Sequence, residues 1–268
     1  MTRDVDRAAD LLGASEHLVG FTGAGVSTES GIPDFRSPGG LWDRYDPSDF
    51  TIQALRRDPV AYWERRREMR AEREFDWSAV EPNPAHHALA ALERDGPLEA
   101  LVTQNVDGLH QAAGSERVLE LHGTRTEAKC LECDRRVPIE TLERKLEDEP
   151  LPPRCDACDG LLKRATVSFG EALPRQVLQS ARQAAVDCDC FLVAGSSLTV
   201  QPAASLPRLA LQNGADLVVV NLEATAMDDA AAVAVQGKAG EVLPRVVERA
   251  LDVEVSRAGP DESWEPDA

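Results

Sequence analysis

The chain has 268 residues, 43% of them hydrophobic, which gives room for one large domain with an insertion and argues against a wholly disordered chain. Lys and Arg total 29 against 47 Asp and Glu, a formal charge of −18 that repels phosphate backbones, so no direct nucleic-acid partner is expected. No apolar run reaches the ~18–20 residues of a membrane span, and the start MTRDVDRAAD lacks a leader's layout, so a cytoplasmic location without a membrane partner is expected.

Val5, Ala8, Leu11 and Leu12 recur at helical spacing and predict a helix over 5–12 that Gly13 can end. His17-Leu18-Val19-Gly20-Phe21 reads as a short strand running into Thr22-Gly23-Ala24-Gly25, which would open a helix. Residues 40–80 hold most of the aromatics (Trp42, Tyr45, Phe50, Tyr62, Trp63, Phe75 and Trp77) and read as an inserted helical module with its own small core. Asn83-Pro84 is an N-cap followed by proline at the first helical position; the helix runs to about Arg94, where Asp95-Gly96-Pro97 stops it. A strand over 98–103 ends at Gln104-Asn105, and a run over 118–121 delivers His122-Gly123. Beyond residue 165 the pattern predicts a strand at 166–169, a helix at 174–186 and a strand at 190–194 that meets Gly195-Ser196-Ser197. A helix ending near Asn213-Gly214, a strand at 217–220 and a last helix from about 240 to 251 complete it. The alternation argues for an α/β, Rossmann-like doubly wound parallel sheet. From Arg257 the chain is rich in Pro, Asp and Glu, an acidic tail expected to be disordered.

Four of the six cysteines form two pairs, Cys130-x-x-Cys133 and Cys155-x-x-Cys158, 21 residues apart. Each knuckle can present two thiolates to one ion, and together they close a tetrahedron with no open position, a structural zinc site. A redox pair is the competing reading. Cys188 and Cys190 flank Asp189 and read as small apolar residues leading into a buried strand.

Gly23-Ala24-Gly25 after a strand suits a pyrophosphate, but Thr28 stands where the dinucleotide fingerprint wants its third glycine, and a plain tight turn fits equally well. The continuation decides more. Ser27-Thr28-Glu29-Ser30-Gly31-Ile32-Pro33-Asp34-Phe35-Arg36-Ser37, Thr103-Gln104-Asn105-Val106-Asp107-Gly108-Leu109-His110 and Leu121-His122-Gly123 resemble the sirtuin family of NAD-dependent protein deacylases. Phe169-Gly170-Glu171, Gly195-Ser196-Ser197-Leu198, Asn221-Leu222-Glu223 and Gly237-Lys238-Ala239-Gly240 complete the pattern in the family's order over about residues 5–250. With only four lysines (Lys129, Lys145, Lys163 and Lys238), the acidic composition is read as a halophile signature, which points to an archaeal source.

The resemblance implies a catalytic domain over 1–252 and an acidic tail over 253–268. Within that domain NAD-binding parts span 1–39, 81–127 and 165–252, with a helical module at 40–80 and a zinc module at 128–164. Gly23, Ala24, Gly25 and Ser27 would line the pyrophosphate side, with Arg36 as a charge partner. Asn105 and Asp107 would form the nicotinamide pocket, joined by Asp34, with Phe35 over the reacting ribose and Gln104 on a ribose hydroxyl. Gly195, Ser196 and Ser197 would serve phosphate and adenosine ribose, Asn221 and Glu223 the adenosine half, and Ala239 the adenine. In isolation Asn105 and Asp107 also read as turn caps.

His122 is the implied general base, since an imidazole titrating near neutrality can activate a ribose hydroxyl. His17, His86 and His87 read as strand or helix residues and His110 as packing. An extended acyl-lysine peptide would add as a strand, with Val167 accepting its amide and Phe169 lining the acyl tunnel. Arg164 and Ser168 depart from the family's proline and aromatic there. Arg66 stands at the arginine position of deacylases of acidic acyl groups, but Trp63 stands where they carry tyrosine and Thr28 where they often carry alanine, which favours acetyl.

The function implied is NAD-dependent deacetylation of protein lysines, chromatin proteins among the candidate partners, with NAD and one structural zinc. Deacylation of other groups and mono-ADP-ribosyl transfer are the nearest alternatives. A nucleotide-sensing zinc module and a hydride-transferring dehydrogenase are the more distant ones.

Overall fold

Strands β1 (Leu18–Thr22), β7 (Cys190–Ala194) and β8 (Asp216–Asn221) are apolar runs buried along almost their whole length, as strands covered on both faces must be. The computed structural model describes residues 2–32, 46–71 and 79–255. With β2 (Leu98–Thr103), β3 (Val118–Glu120) and β9 (Val233–Gln236) these runs form one six-stranded sheet in the order β3-β2-β1-β7-β8-β9. Every pairing in it is parallel. The chain builds outward from β1 in one direction and from β7 in the other, so the order reverses between these two neighbours, where a doubly wound sheet opens a crevice at its strand C-termini.

Helices α1 (Thr2–Ala14), α4 (Pro84–Asp95) and α9 (Ala239–Leu251) cover one face through Leu12, Leu89, Leu92, Leu243 and Val247. Helices α7 (Arg175–Asp187) and α8 (Leu206–Gln212) cover the other, setting Ala181, Ala185 and Leu206 against Phe21 and Phe191. The Asn83 cap is present: its side chain accepts from Ala85 N–H at 2.9 Å, and His86 Nδ1 accepts from Asn83 N–H at 3.2 Å, completing a capping box. Gly13 lies inside α1 instead of ending it. A Cβ there would stand 2.9 Å from the Ala250 carbonyl oxygen, so its glycine is what lets α9 cross so closely.

The strand expected at 166–169 is displaced. The chain instead pairs at β6 (Leu162–Thr166), antiparallel to β4 (Gly123–Cys130), in a separate sheet ordered β5-β4-β6 with β5 at Arg136–Pro138. After Thr166 the Val167 N–H still bonds across to the His122 carbonyl oxygen at 2.7 Å, in the register of Gly123 with Thr166, and Gly170, with a φ of +77°, then leaves extended backbone.

Among the described residues, the helical segment shares its core with the small sheet. Ile52 and Leu55 of α2 (Ile52–Arg57) and Tyr62 and Trp63 of α3 (Pro59–Ala71) share one apolar cluster with Ala128, Leu142 and Leu162 of the small sheet and its helix α6 (Ile139–Asp148). Two short helices bury too little surface alone, and joining the small sheet's face supplies the rest. Trp42, Tyr45, Phe75, Trp77 and the tail from Arg257 lie outside the described residues.

Leu55→Ala, at a fully buried position, should cost about 2–5 kcal/mol. Because the core is shared, amide exchange should quicken in β4 and β6 as well as in α2; acceleration confined to α2 and α3 would contradict the joint cluster.

Candidate active site

The C-terminal ends of β1, β2, β7 and β8 deliver their loops to one edge of the large sheet. At the reversal, the Gly25 N–H donates to the Gly195 carbonyl oxygen at 2.8 Å and Gly23 N–H to the Ala194 carbonyl oxygen at 3.2 Å. A Cβ on Gly25 would stand 2.8 Å from Gly195 Cα, and one on Gly195, whose φ is +58°, only 2.4 Å from Val26 N. The glycines are therefore set by the meeting of two loops. In place of the helix expected after β1, the chain makes two three-residue 3₁₀ turns, Ala24–Val26 and Thr28–Ser30. Such short turns carry no appreciable macrodipole, so β1 delivers no helix end to an anion. Thr28 Oγ1 donates to the Gly25 carbonyl oxygen at 3.1 Å.

After β2, Asn105 Nδ2 donates to the Gly23 carbonyl oxygen and to Ser27 Oγ, both at 3.1 Å. Ser27 Oγ donates to Asp107 Oδ2 at 2.8 Å, and Asp107 Oδ1 accepts from Leu109 N–H at 3.0 Å, capping the short helix α5 (Leu109–Ala112). Gln104 Nε2 donates to Ser196 Oγ at 2.7 Å. The structure thus brings Gly23, Ala24, Gly25, Ser27, Gln104, Asn105, Asp107, Gly195 and Ser196 into one hydrogen-bonded neighbourhood. Ser197 is exposed beside it and shares a 3.1 Å bond with Thr199. Asn221, whose Nδ2 donates to the Glu223 carbonyl oxygen at 2.8 Å, closes β8 further along the same edge. Ala239 is buried at the start of α9, where Gly240 N–H donates to Glu29 Oε2 at 2.7 Å. Asp34, Phe35 and Arg36 lie outside the described residues.

Beneath the cluster lie two histidines with more to do than fill space. Thr22 Oγ1 donates to Thr103 Oγ1 at 2.8 Å and so accepts from His110 Nε2–H at 2.9 Å. His86 uses Nδ1 as the cap acceptor, which leaves Nε2–H facing Ser27 Oγ at 3.4 Å. The rings stand 5.0 Å apart. Burial drives each pKa to about 3, so both stay neutral. The spacing of His86 three residues after Asn83 was the available signal for the first; His110 gave none outside its motif.

His122 sits half-buried on the turn between β3 and β4. Its Nδ1–H donates to the Gln104 carbonyl oxygen at 2.8 Å; since a carbonyl only accepts, the proton is on Nδ1 and Nε2 keeps the basic lone pair. Burial lowers its pKa below the usual value, opposed by the Gln104 bond. Val167 comes directly after β6 and is tied to the His122 carbonyl oxygen. Phe169 is 47% exposed, with its carbonyl oxygen accepting from Ile52 N–H at 3.1 Å.

The four paired cysteines converge. Their sulfurs all lie within 4.8 Å of one another, with Cys130 and Cys158 at 3.5 Å and Cys133 and Cys155 at 3.9 Å. A tetrahedral zinc with ~2.3 Å bonds sets thiolates about 3.8 Å apart, so the set fits that ion and is too wide for disulfides. Backbone N–H groups of Ala157 and Cys158 pull the Cys155 thiol down while burial pushes Cys130 up, so the four sulfurs share their protons unequally and a bound metal would have to displace those that remain. Cys188 and Cys190 are buried, their thiols pushed up to about 11 and about 12 by desolvation, which makes them inert filler. Among the described residues no helix is long and apolar enough to cross a membrane.

Sheet order, glycine crossing and cysteine cluster define a dinucleotide-binding α/β protein with a metal-clipped module. Residues 23–202 match the Sir2 family, and the chain belongs to that family. It is 47% identical over 246 residues to an NAD-dependent protein deacetylase of Haloarcula marismortui, covering 91% of this chain and 94% of that protein. It is 46% identical over 250 residues to an NAD-dependent protein deacylase 2 of Archaeoglobus fulgidus, covering 92% and 96%. A solved Sir2 variant holding a deacetylated p53 peptide and 3′-O-acetyl ADP ribose superposes with a TM-score of 0.81 at 39% identity, covering 91% of this chain and 97% of that one. Relatives come from varied bacteria as well as archaea, so the acidic composition does not assign the chain to a halophilic archaeon.

Two outcomes check this site. His86 and His110 bind no proton folded above about pH 3 but take one near 6.5 unfolded, so stability falls as pH drops through that window. The slope is about 1.4 kcal/mol per pH unit for each imidazole. Urea unfolding of wild type and His110→Asn between about pH 6 and 4 should differ by close to one such slope; equal slopes would show the ring is not buried neutral. Stripping zinc should unfold the small sheet, seen as lost amide protection in β4 and β6, and depress activity; a metal-free protein with both intact would refute the structural site.

Proposed function

We propose that this protein is an NAD-dependent protein lysine deacetylase whose general base is His122. The observation that supports this reading best is an imidazole with its proton held on Nδ1, its Nε2 lone pair free, bonded to the same residue, Gln104, that reaches Ser196 across the crevice. When bound, NAD supplies a ribose carbon from which nicotinamide departs, and the products are deacetylated lysine, nicotinamide and O-acetyl-ADP-ribose.

The chain's own groups then divide the work. Backbone around Gly23, Ala24 and Gly25, with Gly195, Ser196 and Ser197, holds the phosphates and adenosine ribose. Asn105 and Asp107 grip the nicotinamide amide, and Ser27 braces both from behind. Gln104 takes a ribose hydroxyl, and His122 Nε2 removes a ribose proton. Asn221, Glu223 and Ala239 hold the adenosine end; Asp34 joins the nicotinamide pocket, Phe35 covers the reacting ribose and Arg36 is the charge partner of the pyrophosphate. The peptide adds beside Val167 and Phe169. Trp63 stands where deacylases of acidic acyl groups carry tyrosine, and that departure supports acetyl.

The −18 charge favours basic protein tails as partners, acetylated chromatin proteins among them, disfavours direct nucleic-acid binding, and supports a salt-rich working medium. Thiolates kept for a metal support a cytoplasmic, reducing location.

His122→Ala should lower kcat by about 10²–10⁴ with NAD binding retained. In the wild type, kcat/KM should fall on acidification with a midpoint below 6.5, because burial depresses the imidazole. Mass spectrometry of the products from NAD and an acetyl-lysine peptide checks the reaction; turnover of the variant within tenfold of wild type would remove His122 from its role.

A further inference from the structure

The segment after β6 is held by a knot of charge. Lys163, on β6, is 2% exposed and donates through Nζ to Glu171 Oε2 at 2.7 Å and to the Thr166 carbonyl oxygen at 2.5 Å. Lys129, on β4, donates to Glu171 Oε1 at 2.5 Å. Glu171 Oε2 also accepts from Ser168 N–H at 3.0 Å, and Glu171 N–H returns a bond to the Ser168 carbonyl oxygen at 3.0 Å. One carboxylate therefore gathers two ammonium groups and a main-chain amide.

A buried ammonium is tolerated only when paired and hydrogen-bonded. Two of the chain's four lysines are placed here, although arginine supplies nearly all its other positive charge. A lysine's compact ammonium fits beneath a turn where a planar guanidinium would need more room. Lys129 and Lys163 are cross-strand partners in the β4–β6 register, with Cys130 next in the chain after Lys129. The register of the cysteine-held sheet thus sets where both ammonium groups emerge. The loop gains little from apolar burial, since Phe169 is 47% exposed. Polar bonds fix its shape.

We propose that Glu171 is a positioning residue for the acyl-lysine peptide. Clamped by Lys129 and Lys163, it holds residues 167–170 in the conformation that receives the substrate strand, and it carries the order of the metal-clipped sheet to that strand. This rests on the proposed function, in which the peptide adds beside Val167 and Phe169. Glu171 stays ionised: burial raises its pKa, but the bonds from Lys129, Lys163 and Ser168 outweigh this and leave it below the ordinary value.

Glu171→Gln keeps the shape and removes the charge. Its KM for an acetyl-lysine peptide should rise about tenfold, while kcat at saturating peptide and KM for NAD stay within about twofold, the signature of lost substrate binding alone. Amide exchange at Val167 and Ser168 should quicken about tenfold with β7 unchanged. Lys129→Met, at a partly exposed position, should give a smaller rise in peptide KM, about threefold. Should Glu171→Gln fail to fold, Lys163→Met/Glu171→Gln removes both buried charges together and should show the same peptide-specific rise. An unchanged peptide KM, or an equal rise in KM for NAD, would overturn the proposal. Wild type inactive on the acetyl-lysine peptide would instead sink the functional reading, and unchanged exchange at Val167 and Ser168 would still sink the clamp.

Discussion

The hydrogen bond from His122 Nδ1–H to the Gln104 carbonyl oxygen is where the two halves of the molecule meet. Gln104 directly follows β2 of the large parallel sheet, and His122 lies on the turn into β4 of the small antiparallel one. The His122 carbonyl oxygen takes the Val167 N–H, so the same residue anchors the loop that leaves the small sheet. The ring thereby takes its tautomer from the Gln104 carbonyl, while the residue's own backbone is tied to Val167.

The crevice itself results from strand order. Because β1 and β7 start opposite windings, their loops diverge from one line, and only glycine permits them to touch before they part. Beneath them, Thr22, Thr103, His86 and His110 make a buried polar layer in which each imidazole's tautomer is set by its partner. That layer carries no charge. Burial keeps both imidazoles unprotonated.

Much of the large sheet was legible because strands buried on both faces must be continuous apolar runs, as at Leu18–Thr22 and Cys190–Ala194. The four cysteines were legible from spacing because a metal requires it. Harder to see were features decided by distant partners. Val167 and Phe169 look like strand residues, yet Phe169 faces outward and Val167 bonds across to His122. The aromatics of the helical segment announced burial without saying against what; Tyr62 and Trp63 turned out to need the small sheet. Gly13 resembled a helix stop because no local pattern reveals that α9 crosses there. The same holds for Lys163 and Glu171, whose bonds join residues eight apart across a turn.

The tautomer and acidity of His122 bear most directly on the chemistry. Nitrogen-15 chemical shifts of the His122 ring, tracked by pH titration in protein labelled at histidine, would read both. A proton on Nδ1, a bare Nε2 at neutral pH and a midpoint below 6.5 are expected from the Gln104 bond and the ring's burial. A proton on Nε2 at neutral pH, or a midpoint above 6.5, would contradict the assignment of this imidazole as the base.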